Sequence, residues 1–161
     1  MAVHVHTIHA HGEIHATPAD VWPVLTDVGR HSEILGSVTR SELLTDGPYD
    51  VGTRWRESRH LFDHKGVEEL EVVELNPGIH TTHRTKLGHD VIDIAYNLSA
   101  LRSGTRVSIT ATAHMEGRGP LDHLAWRAFG GFDQHQTRQM FEKDIDDFAA
   151  EVARHTQPSG S

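Results

Sequence analysis

The sequence predicts an α+β fold of seven antiparallel strands, two short helices after the first strand and one long C-terminal helix. Three observations support this. Ile14-His15-Ala16-Thr17-Pro18-Ala19-Asp20-Val21-Trp22 reads as a strand end running straight into a capped helix. From Val38 to Met115, apolar and polar residues alternate in runs broken by turn residues. From Pro120 to about His155 the apolar spacing becomes helical.

The first helix is written in its opening residues. Thr17 is placed to accept from the amide of Asp20, Pro18 stands where a missing N–H costs nothing, and the Asp20 charge favours the positive end of the helix. Turn residues then divide the strands. Asp46 to Gly52 separates Val38–Thr45 from Thr53–Phe62, and Asp63 to Gly66 separates that strand from Val67–Leu75. Asn76-Pro77-Gly78, Gly88 and Arg102 to Thr105 bound Ile79–Leu87, Asp90–Leu101 and Arg106–Met115. In the last of these, Val107, Ile109, Ala111, Ala113 and Met115 share one face and polar residues the other, so one face of the sheet is dry.

The C-terminal segment carries two apolar stripes. Leu121, Ala125, Ala128, Phe129 and Phe132 form one, and Phe141, Ile145, Phe148 and Val152 fall nearly opposite at about 100° per residue. A straight helix cannot bury both. Gly130-Gly131 lies between them, and each glycine costs a helix about 1 kcal/mol relative to Ala, so a bend or break is expected within 129–136.

Composition bounds the function. The 161 residues fit a single domain over residues 1–156, and residues 157–161 read as a disordered tail. There is no Cys, no signal-like apolar run and no stretch of membrane-spanning length, which predicts a cytoplasmic protein without membrane insertion. A formal charge of −8 with scattered Lys and Arg argues against nucleic acid as a partner.

The order of elements resembles the START-like helix-grip superfamily, and within it the bacterial polyketide cyclase/dehydrase and lipid-transport (SRPBCC) branch. The segments carrying the resemblance are Ile14 to Trp22, Leu25-Thr26-Asp27, Val51-Gly52-Thr53, Gly104-Thr105-Arg106 and Phe141 to Ile145, and it extends over about residues 3–155. It implies a curved sheet gripping the long helix, with an apolar cavity between them that opens near the short helices. Two departures stand out. Val28 to Leu35 lacks the aromatic often found at that cavity mouth, and no glycine-rich loop separates the second and third strands.

Given such a cavity, alternation places Ile92, Ile94, Tyr96 and Leu98 inward, with Thr81, His83 and Thr85 beside them. On the third strand, Trp55, Glu57, Arg59 and Leu61 share the better inward face. Glu57 and Arg59 are two residues apart, either as a pair inside the cavity that polarises a carbonyl or abstracts a proton, or as an ion pair on a solvated face. His83 reads as a core imidazole or a general base, and Tyr96 as an amphipathic wall or a catalyst. Leu35 at the cavity mouth, Trp126, Phe129 and Phe132 complete the candidate ligand contacts, the aromatics reading equally as core. Trp22 is expected in the core.

The 15 histidines invite a metal reading. Yet alternation divides His4 and His6 from His9, His11 and His15, and no Cys is present to complete a zinc set, so no metal and no cofactor are predicted. The expected function is binding of a hydrophobic small molecule, polyketide-, lipid- or isoprenoid-like, by a monomer or weak homodimer. The alternative is a polyketide cyclase/dehydratase-type enzyme in which Glu57, Arg59, His83 and Tyr96 move protons and stabilise an enolate. Protein interaction through the exposed sheet or cavity mouth is a third class.

Overall fold

The computed structural model describes residues 3–61, 64–87, 90–116 and 134–156. Strand β1 (Val3–Ile14) leads into α1 (Pro18–Leu25), where Thr17 Oγ1 accepts from the Asp20 amide at 3.3 Å. A 3₁₀ turn (Val28–Arg30) and the short α2 (His31–Ile34) follow. Then come β2 (Val38–Leu43), β3 (Arg54–Leu61), β4 (His64–Asn76), β5 (His80–Leu87), β6 (Asp90–Leu101), β7 (Gly104–Glu116) and helix α3 (Gln134–Thr156).

These strands form a single antiparallel sheet in the order β1-β7-β6-β5-β4-β3-β2. From β2 onward each strand pairs with its sequence neighbour, as tight links dictate. The exception is β1, which pairs with β7, so β1 and β2 lie at opposite edges and the segment holding α1 and α2 must travel between them.

The inner face is dry where the sequence alternates. Ile8, Ala10 and Ile14 of β1, Val107, Ile109, Ala111 and Ala113 of β7, and Ile94, Tyr96 and Leu98 of β6 are buried. Helix α3 covers them with Phe141, Ile145, Phe148 and Val152, the stripe expected from spacing. The helix crosses β1 at Gly12, where a methyl group would stand 2.9 Å from Ile145 Cγ2. Only glycine allows that approach. Trp22 is half-buried at the edge of this core.

One turn is narrower than expected. His64, Lys65 and Gly66 are not a link but the start of β4, paired with Leu61, His60 and Arg59, because ladder hydrogen bonds outweigh the local turn preference of Gly66. The stripe over 121–132 and most of the expected bend at 129–136 lie outside the described residues, and Gln134 to Gln136 are already helical.

A buried polar seam as candidate functional site

The apolar interior is not continuous. One cluster joins β1, β6, β7, α1 and α3, whereas a second, smaller one holds Val28, Trp55, Leu70 and Val72. Between them runs a seam of polar side chains built on β3 and β5 and joined from β4, α3 and the β2–β3 loop.

On β3, alternation turns Trp55, Glu57 and Arg59 inward and leaves Arg54 and Arg56 exposed. The Glu57 carboxylate is fully engaged: Trp55 Nε1 donates to Oε1 at 3.0 Å and Arg59 Nε to Oε2 at 2.8 Å. Arg59 Nη1 donates across the interior to Asp144 Oδ2 of α3 at 3.0 Å, and Ser37 Oγ donates to Oδ1 at 2.7 Å. One guanidinium therefore serves two buried carboxylates and at the same time fastens the helix to the far side of the sheet. With both acids ionised the group carries one uncompensated negative charge. The two carboxyls respond differently. Burial pushes Glu57 up, but Arg59, His31 and the Trp55 N–H outweigh it and hold it below the usual carboxylate range. Asp144 is raised by burial more than Arg59 and Ser37 lower it, and the Glu57 charge adds to the rise.

Glu68 joins this group from β4. It lies opposite Glu57 in the β3–β4 register, on the same face as buried Leu70 and Val72. Burial, then the Glu57 charge acting against Arg59, raises its carboxyl above the ordinary range. Two facing acids thus have affinities for protons pushed apart, the pattern that separates an acid from a base.

From β5, Thr81, His83 and Thr85 are buried. His83 is packed between rings: its centroid lies 4.6 Å from Trp55 edge-on and 5.0 Å from Tyr96. Its Nε2 meets the Tyr49 hydroxyl at 2.7 Å, and that hydroxyl meets Thr81 Oγ1 at 2.6 Å. Tyr49 comes from the β2–β3 loop, shaped by Gly47 and Gly52 at φ +92° and +94°. Burial lowers the His83 imidazole to about 3, so the ring is neutral at physiological pH. Burial likewise raises both Tyr49 and Tyr96, which keeps them protonated.

Of the residues expected from sequence, Trp55, Glu57, Arg59, His83 and Tyr96 are thus brought together. Leu35 and Leu98 are buried in the larger apolar cluster, and Trp126, Phe129 and Phe132 lie outside the described residues. Sequence reasoning missed Asp144, Glu68, Tyr49 and His31. Signals existed for each. Asp144 sits on the α3 apolar stripe between Phe141 and Phe148, Glu68 has the parity of Leu70 and Val72, and Tyr49 is a lone aromatic in a turn-forming loop. His31 has apolar Val28, Ile34 and Leu35 at helical spacing.

Elsewhere, His9, His11 and His15 are exposed and His6 half-buried; among the described residues no three His, Asp or Glu are placed to share a metal ion. A cleft of about 310 Å³ between α1, α2 and the end of α3 is lined by charges already paired, Arg30 with Asp27 at 3.2 Å and with Glu151 at 3.7 Å. None of the polar seam lines it. Among the described residues no helix is long and apolar enough to cross a membrane.

Solved structures share this architecture. A Thermus thermophilus protein aligns with a TM-score of 0.75 at 18% identity, covering 94% of this chain and 100% of its own. The Zhui aromatase/cyclase of a Streptomyces species aligns with a TM-score of 0.67 at 18% identity, covering 98% and 99%. A norcoclaurine synthase point mutant from Thalictrum, solved with a transition-state analogue, gives 0.71 at 12% identity, covering 98% and 99%. Comparison with curated protein sequences gave no match. The family model described as polyketide cyclase/dehydrase and lipid transport matches residues 5–155, and with the antiparallel sheet closed on its C-terminal helix this places the chain in that helix-grip family.

Proposed function

We propose that this protein binds a hydrophobic small molecule of polyketide-like or similarly extended form between the sheet and α3, with the polar seam engaging its oxygenated end. The observation that carries the reading is the division of the interior into two apolar clusters, one ending in Tyr96 and the other in Trp55, with Glu57, Arg59 and His83 belonging to neither. A solid core would gain by closing that division with apolar side chains, since buried ions are at best neutral for stability relative to well-packed hydrophobic residues. A ligand site has a use for it. Apolar walls supply affinity and a few convergent polar groups set orientation.

A second reading is a cyclase/dehydratase-type enzyme, favoured by the facing carboxyls Glu57 and Glu68, whose proton affinities are pushed apart. In that reading ionised Glu57 takes a proton from an acidic C–H, Glu68 returns one to a leaving hydroxyl and Arg59 faces the developing enolate oxygen. The Zhui aromatase/cyclase is one structural relative whose name carries such an activity.

Native mass spectrometry for a co-purified molecule, together with Nile red titration, tests the binding reading. One equivalent should bind with a Kd near about 1 μM, roughly 8 kcal/mol, and quench Trp55, with Trp55→Phe removing that share of the signal. Absence of saturable binding refutes it. Glu57→Gln should retain apolar uptake under both readings, and under the enzymatic one it should cut turnover by about 10²–10⁴.

A further inference from the structure

Several groups of the seam bond one another. Glu57 and Asp144 each accept two donors, and Tyr49, Thr81 and His83 satisfy one another. His31 is different. It is 1% exposed, its ring is edge-on to Phe148 at 5.9 Å, and its Nε2 lies 3.0 Å from the carbonyl oxygen of Leu25. A carbonyl only accepts, so Nε2 carries the proton. Burial lowers the imidazole below its ordinary value, partly offset by Glu57, and a neutral ring holds one proton. Nδ1 is therefore a bare lone pair. It is buried and has no partner. A second buried polar atom without a partner, Thr85 Oγ1, stands on the inner face of β5.

Leaving a buried acceptor without a donor costs enough that such atoms call for an explanation. The charges that act on the ring are Glu57 and Arg59 from β3 and Asp144 from α3, all of the polar seam. None supplies a donor at Nδ1. We propose that His31 is a specificity-determining residue: its Nδ1 accepts a hydrogen bond from a phenolic, enolic or alcoholic hydroxyl of the bound molecule, selecting hydroxylated ligands over apolar ones of the same shape. This rests on the ligand-site reading above.

The test uses two small probes, 1-naphthol and 1-methylnaphthalene, titrated into the wild type and His31→Gln. The Gln amide retains a donor toward Leu25 O and removes the ring acceptor. The wild-type preference for 1-naphthol relative to 1-methylnaphthalene should fall about tenfold in His31→Gln, the equivalent of one hydrogen bond to a buried acceptor. The affinity for 1-methylnaphthalene should stay within about twofold, as expected for apolar burial that does not involve Nδ1. In the wild type, the ¹⁵N resonance of His31 Nδ1 should shift with 1-naphthol and not with 1-methylnaphthalene. This second arm decides the matter if His31→Gln fails to fold. Both probes binding with an unchanged preference in the variant, or an Nδ1 signal indifferent to 1-naphthol, overturns the role of His31 alone. Failure of both probes to bind overturns the ligand site and the role of His31 with it.

Discussion

His83 offers a direct thermodynamic test of the seam. Its imidazole is fully enclosed by Trp55, Tyr96 and Tyr49, and burial, followed by the influence of His31 and Arg59 against Glu57, brings its pKa to about 3 from 6.5. A folded-state value below the unfolded one means that the unfolded chain binds the proton first. Stability is then complete above about pH 6.5 and is lost as pH falls toward 3, at about 1.4 kcal/mol per unit in between. From pH 7 to 5, allowing for partial titration near 6.5, the loss from this one residue is about 2 kcal/mol. The perturbation is His83→Gln, which retains a polar group toward Tyr49 and does not titrate. Urea unfolding of both proteins at pH 7 and pH 5 isolates the difference, because the contributions of Glu57, Glu68, Asp144 and the other histidines are common to both. The variant should lose about 2 kcal/mol less than the wild type over that interval, whatever its absolute stability. Equal losses within about 0.5 kcal/mol, or an NMR titration of His83 centred near 6.5, would refute the argument.

Arg59→Met leaves Glu57 and Asp144 without their shared cation and should cost about 3–5 kcal/mol, seen as a fall in Tm of roughly 6–20 °C for a domain of this size. Asp144→Asn in that background should restore part of it, and a fall below about 3 °C would show that the clamp between β3 and α3 is dispensable. Gly12→Ala introduces a methyl group 2.9 Å from Ile145 Cγ2 and should destabilise by about 1–3 kcal/mol, with Ile145→Leu, which has no Cγ2 branch, relieving most of the cost in a double-mutant cycle. Additive effects of those two substitutions would mean that helix and strand do not touch there.

The sequence by itself determined what has a short period. Alternation set which residues of β3, β5, β6 and β7 face inward, helical spacing set the stripe Phe141, Ile145, Phe148 and Val152, and Thr17-Pro18 with Asp20 set the start of α1. These properties follow from 2.0 and 3.6 residues per turn and from local hydrogen bonding, so they are legible without knowing what lies opposite. What lies opposite is a tertiary fact. That β1 pairs with β7 and leaves β2 at the other edge is what brings α1 and α2 across the open side of the sheet. Asp144 reaches Arg59 across 85 residues because α3 packs over the sheet, and Tyr49 reaches His83 across 34 because the β2–β3 loop delivers it there. Periodicity marks a buried polar residue but not its partner, since a hydrogen bond is fixed by distance and direction within a few tenths of an ångström. The same holds for His31: its spacing placed it on an apolar face, and only the Leu25 carbonyl at one ring nitrogen decided that the other is left as a bare, buried acceptor.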